Sequence, residues 1–319
     1  MLAIEPLSDA HLDDAGILLA RRHAAQRLVE PALAARFEDP AEVRAEIEQL
    51  LAVDGASGVA AVRDGRLVGY LLGVPRAESW GPNVWIESAG HAVEEAETVR
   101  DLYAVAAAEW VAAGLTSHYV LVPASDADLV DTWFRLSFGQ QHVHGLREAP
   151  EEPLLAAGPG LTVRRAQRGD IPALAELDLA LVAHQALSPV FSGMPQATLE
   201  ETVAEYEEGF DDPAYALFVA ERDGRVIGSS VGCSIEQSSA HAGLARPDDA
   251  GFLAFAAVFP DARGRGAGRA LGEAVIDWSR EAGYANVVTD WRATNLLSSR
   301  TWPRLGFRPT FLRLFRAIP

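Results

Sequence analysis

The sequence predicts a mixed α/β protein made of two tandem copies of one domain, each a central sheet flanked by helices. Three observations carry that prediction. The 319 residues exceed the roughly 100–200 expected of one compact domain. Arg63-Asp64-Gly65-Arg66-Leu67-Val68-Gly69 recurs as Arg222-Asp223-Gly224-Arg225-Val226-Ile227-Gly228. Trp133-Phe134-Arg135-Leu136-Ser137-Phe138 recurs, in the same order of elements, as Trp302-Pro303-Arg304-Leu305-Gly306-Phe307.

Each copy opens with alternating apolar residues that suit a strand, followed by helical spacing. In the second copy the strand covers 161–165, and Ile171, Leu174, Leu177 and Leu181 mark the helix. Apolar alternation on both sides of an Asp-Gly pair predicts a tight β-hairpin in each copy. Gly114 and Gly283 each close an amphipathic helix as a small C-terminal cap. The second copy should finish with a strand at 252–258, a helix at 266–282, a strand at 285–290, a helix at 295–305 and a strand at 308–316. Prolines and glycines between 148 and 160 oppose regular structure, so the expected domains are 1–148 and 161–319, joined by a linker at 149–160.

Hydrophobic residues make up 49% and charged residues 23%, enough to build a core without staples. The single cysteine, Cys233, excludes an internal disulfide and a thiolate-rich metal site, and in an apolar strand it reads as a small buried hydrophobe. With no basic, apolar leader and no apolar run near 18 residues, the expectation is a soluble cytoplasmic protein. A net charge of −18 argues against nucleic acid and anionic membrane as partners. It favours a cationic small molecule or simply a solvated surface.

The chemistry is carried by Arg263-Gly264-Arg265-Gly266-Ala267-Gly268-Arg269, placed between the buried strand that ends at Val258 and a helix. Glycines let successive N–H groups approach an anion, and the helix N-terminus adds free donors and partial positive charge. Three arginines add full charges, so adjacent phosphates are the natural ligand. A dinucleotide fingerprint needs a different glycine spacing and a parallel βαβ unit. A nucleoside triphosphatase loop needs Gly-Lys-Ser/Thr, and Gly268-Arg269-Ala270 stands here.

Arg263, Gly266 and Gly268 resemble the glycine loop of the GNAT acetyltransferase superfamily. Asn295, Ser298, Trp302, Gly306 and Phe307 follow at spacings similar to those of its members. The resemblance covers 161–319 directly and 1–148 through the repeat, so the chain looks like a tandem GNAT protein. It implies an N-acetyltransferase using acetyl-CoA or another acyl-CoA as co-substrate, with no metal and direct attack by an amine of a small molecule or basic side chain in a ternary complex. The pyrophosphate would lie on the 263–268 amides, the pantetheine arm along the strand ending at Val258, and Asn295 against that arm. A catalytically silent acyl-CoA sensor is the alternative, and an interaction scaffold is the third reading.

Trp302 occupies the place where many members carry a proton-donating tyrosine, and indole has no accessible acidity. Its expected role is packing against the cofactor arm. Ser298 or Ser299 could supply a proton, or be polar filler. Asp290 is the candidate base, or a cap on the turn before Asn295; Glu236 and His241 are weaker candidates for an acceptor pocket. In the first copy Glu94, Glu97 and Val99 replace the loop, and carboxylates there repel a pyrophosphate. That copy should bind no CoA and instead complete the fold, an interface or the acceptor pocket. His142 and His144 share a strand face without a third metal ligand, and Arg313 and Arg316 suit a solvated strand edge.

Overall fold

A computed structural model describes residues 1–76, 81–154, 158–192 and 197–319. In the first copy the elements are β1 (Leu2–Pro6), α1 (Leu12–Val29), α2 (Pro40–Leu51), β2 (Ser57–Arg63), β3 (Arg66–Gly73), β4 (Asn83–Ile86), β5 (His91–Val93), α3 (Thr98–Ala112), β6 (Ser117–Pro123), α4 (Ala127–Arg135) and β7 (Gly139–Glu148). The second copy holds β8 (Thr162–Arg165), α5 (Ile171–Ala186), α6 (Leu199–Gly209), β9 (Tyr215–Arg222), β10 (Arg225–Ser234), β11 (Gly251–Val258), α7 (Ala267–Glu281), β12 (Asn286–Arg292), α8 (Leu296–Thr301) and β13 (Arg308–Ala317).

The chain forms two compact units that do not follow the two copies strictly. The first comprises 1–143, 241–248 and 309–319; the second comprises 144–240 and 249–308. In the first unit β1-β2-β3-β5 make an antiparallel sheet. Beside β6 lie β4, parallel to it, and β13, antiparallel to it. Thus β13 closes the second copy in sequence yet pairs within the first unit. In the second unit β12-β11-β10-β9-β8 lie in that order, all neighbours antiparallel except β11 and β12. Of the expected linker, 155–157 lie outside the described residues. Its earlier part is tied to the second unit, where Leu154 N–H donates to Asp277 Oδ1 at 2.7 Å and Ala149 N–H to Ala285 O at 2.9 Å.

The repeated turns have the geometry their residues demand. Asp64 and Gly65, like Asp223 and Gly224, take positive φ at both central positions, as in the turn type whose twist matches the strands it joins. Gly114 and Gly283 sit at φ 82° and 89° directly beyond α3 and α7, and the amides that follow them reach back to Trp110 O and Ser279 O. The single helix expected at 295–305 is instead α8 and a separate 3₁₀ turn, Pro303–Leu305. Pro303 has no N–H to continue the helical ladder.

In the first copy the counterpart of β11 is broken into β4 and β5 by a turn at Ser88–Gly90. The partly buried Arg22 of α1 fills that break, donating to the carbonyls of Ser88, at 2.6 Å, and His91. Burial holds its pKa down at about 10. The carboxylates foreseen there are paired: Glu94 with Arg66, Glu95 with Arg63 at 3.1 Å, and Glu97 with Arg100 at 2.8 Å and Arg135 at 3.0 Å. Trp133 and Tyr70 are fully buried in this unit. Cys233 is buried as well, which pushes its thiol up to about 11. Among the described residues no group of three or more His, Cys, Asp or Glu side chains is arranged to hold a metal ion, and no helix is long and apolar enough to cross a membrane.

α5 is anchored at its start by Asp170, whose carboxylate takes two bonds from Arg164 (2.7 and 3.0 Å) and one from Gln167 N–H (2.8 Å). Arg164 holds this carboxyl below its ordinary range, partly offset by burial and helped by the Gln167 amide. A depressed folded-state pKa contributes stability above the unfolded value of about 3.9 and loses it as pH falls through the folded value. We therefore expect Asp170→Asn to cost about 2 kcal/mol near neutrality. Denaturant titrations should show the difference constant between about pH 5 and 7 and shrinking below about pH 4.

Candidate active site

β11 and β12 pair in parallel over only three residues, Gly251 to Leu253 against Val287 to Thr289. β11 continues to Val258 without β12. On its other side the register with β10 skips between Val231 and Gly232, leaving Ala254 without a partner as a β-bulge. Ala254 is exposed in the middle of an otherwise apolar strand. The strands thus open into a wedge, and the free edge of β11 leads straight into the glycine loop.

In that loop Gly264 and Gly266 take φ 76° and 89°, where a Cβ costs about 1–2 kcal/mol. A Cβ on either would meet nothing within 4 Å, so the loop faces open space. Gly266 caps α7, and the first helical bond is Ala270 N–H to Gly266 O at 3.0 Å. The amides of Ala267, Gly268 and Arg269 therefore have no carbonyl one turn back and stand as donors.

A cavity of about 520 Å³ spreads over this loop, within the usual size of a ligand site. Its walls include Val258, Gly264, Gly266 to Arg269, and α8 with the residues around it. Arg263, Arg269, Arg300 and Arg304 line it, and no Asp or Glu does. Arg263 is steadied by a bond from Nε to Val258 O at 3.1 Å, and burial lowers its pKa. Arg269 pairs with the buried Glu273 at 2.7 Å while its own side chain stays exposed. Arg265 is exposed and outside the lining; its carbonyl accepts from Arg222 at 3.1 Å.

Asn295 lines the cavity, is buried, and caps α8 by accepting Leu297 N–H on Oδ1 at 3.1 Å. The same oxygen lies 3.3 Å from Nε2 of His184, in the last turn of α5. A second tether, Arg292 Nε to Gln185 Oε1 at 3.4 Å, fastens the same end of α5 to β12. Ser298 lines the cavity with its hydroxyl donating to Asn295 O at 3.3 Å. Trp302 is buried in the wall, edge-on to Phe307. The close approach of α7 at Gly272 makes room for it: a Cβ there would stand 3.0 Å from the indole ring.

The structure gathers the glycine loop, Asn295, Ser298 and Trp302 around one cavity. It does not bring in Asp290, which lies on β12 just past the last β11 pair, partly buried and outside the lining. Ser299 is outside the lining too, Glu236 is exposed, and His241 is buried in the first unit. Sequence reasoning missed His184, Arg300 and Arg304. The two arginines sit four residues apart on either side of Trp302, a spacing that could have drawn notice. His184 carries no local signal, because it meets Asn295 only through tertiary packing.

The family model described as the acetyltransferase (GNAT) family matches residues 183–307. Residues 183–307 are therefore similar to the GNAT acetyltransferase domain. A mycothiol acetyltransferase from Cellulomonas flavigena is 30% identical over 238 residues, which are 72% of this chain and 61% of that relative's length. The chain thus covers less than two thirds of the curated relative. A GCN5-related N-acetyltransferase from Sphaerobacter thermophilus shares the fold at TM-score 0.59 and 16% identity, covering 99% of this chain and 95% of its own. A tandem GNAT protein from the clavulanic acid biosynthesis pathway does so at TM-score 0.51 and 15% identity, covering 99% and 98%. The tandem GNAT architecture agrees with the repeat read from sequence.

Gly266→Ala places a Cβ in the left-handed region beside the GNAT loop. Denaturant unfolding should show a loss of about 1–2 kcal/mol, whereas Gly268→Ala, with ordinary φ and its nearest neighbour Val258 at 3.7 Å, should change stability far less.

Proposed function

We propose that the second copy transfers an acetyl group from acetyl-CoA to the amine of a small molecule, by direct attack in a ternary complex. The observation that carries this reading is a single cavity where free helix-start amides, two left-handed glycines and four arginines converge beside an unpaired strand edge. In a chain of net charge −18, such a concentration of cations without a carboxylate in the lining suits a polyphosphate. The pyrophosphate fits the amides of 264–268, and Arg300 and Arg304 suit further phosphate on the opposite wall. The edge of β11 at Ala256 to Val258, which lines the cavity, offers main-chain groups to an amide-bearing arm.

Holding amine and thioester together supplies much of the acceleration, since well-oriented pairs gain several kcal/mol from lost approach entropy. Trp302 walls the cavity and does not give a proton. All 27 basic residues are arginine, so the chain offers no lysine ε-amine to compete for the acetyl group. The likeness to a mycothiol acetyltransferase makes the acceptor of that relative the first compound to assay. The first copy lacks the loop and has Arg22 and paired glutamates at the corresponding break, which supports one cofactor site per chain.

Calorimetric titration with acetyl-CoA should give one site per chain. Arg300→Ala combined with Arg304→Ala should weaken binding by about 10- to 100-fold, with a smaller loss at high salt. Two sites per chain would show that the first copy binds too. Thiol release in the presence of an amine panel separates transfer from silent binding: tight binding with no release on any amine would favour a sensor.

A further inference from the structure

We propose that His184 is the base that takes the proton from the attacking amine, in a neutral tautomer fixed by Asn295. The proposal rests on the acetyl-transfer reading above and gives its proton a destination. Among the residues lining the cavity, which include no Asp, Glu, Lys or Cys, His184 is the one whose side chain carries a ring-nitrogen lone pair that can take a proton. Asp290 lies outside the lining, and Ser298 already donates to a main-chain carbonyl.

The ring's orientation follows from the cap on α8. Oδ1 of Asn295 is identified as oxygen by the Leu297 N–H it accepts, so the Nε2 that faces it must carry a hydrogen and donate. Neutral imidazole then has its lone pair on Nδ1, which has no protein partner among the described residues. Asn295 is in this sense a positioning residue, acting on the acceptor through His184. The tether between Gln185 and Arg292 holds the same turn of α5 in place.

The step balances without a further reactant. The ammonium gives one proton to Nδ1, from which it passes to solvent, and the freed lone pair forms the C–N bond to the thioester carbon. The C–S bond breaks with its electrons on sulfur, and the second proton shed by nitrogen ends on that thiolate. No acid is required at Trp302.

The test uses the full-length chain, acetyl-CoA and a series of primary amines from strongly basic butylamine to weakly basic trifluoroethylamine, read by thiol release. The weak base is already neutral at pH 7 and needs no proton removed beforehand. His184→Gln should keep acetyl-CoA affinity, lose about 100-fold or more in kcat/KM with butylamine, and lose far less with trifluoroethylamine. An equal loss along the series, or none, overturns the proposal while leaving acetyl transfer intact. Absence of acetyl-CoA binding or of thiol release by the unmodified chain overturns the transfer reading and this proposal together. Nitrogen-15 NMR of the unmodified chain provides a readout independent of turnover: the Nε2–H tautomer of His184 supports the assignment, and the Nδ1–H tautomer overturns it.

Discussion

The second unit depends on an interruption: parallel pairing between β11 and β12 stops after Leu253 and Thr289. A sheet that paired to its ends would be closed and would leave no edge for a ligand. Because the strands part, Ala254 is exposed, β11 keeps free main-chain groups, and its last residue delivers the chain into a glycine turn at the start of α7. The bulge opposite Val231 and Gly232 fixes where the parting begins, since one extra residue bends the strand and increases its twist. Main-chain donors that a continuous ladder would consume are thereby concentrated on one cavity.

Charge is arranged to the same end. The surface carries an excess of carboxylates, yet the cavity is lined by arginines alone among ionised groups. Guanidinium stays charged when partly buried and offers several fixed donors, whereas an ammonium in the same place could deprotonate and attack a thioester. The first copy shows the complementary solution. There the break between β4 and β5 is filled by one guanidinium from α1, which satisfies the carbonyls that the break exposes.

The two Asp-Gly hairpins, the two glycine caps and the loop at 263–268 were legible because each is a local conformation few residues can adopt. Positive φ at Gly266 is required by the turn itself and does not await the rest of the fold. Elements were legible for the same reason, with ends shifted by a few residues: β12 runs on to Arg292, and Pro303 cuts the last helix short. The exchange of β13 into the first unit was not legible, because antiparallel pairing with β6 joins residues almost two hundred positions apart, and no local pattern records it.

The sequence by itself determined the tandem α/β plan and the glycine loop, since repeats, turn chemistry and glycine placement are properties of short segments. Tertiary structure alone decided which side chains meet there. It set Asp290 outside the cavity, and it placed His184 against Asn295 and Arg300 and Arg304 on the wall. The reason is geometric: a side chain's neighbours across a wedge depend on how α5 and α8 pack over the sheet, and helix packing is fixed by the whole core.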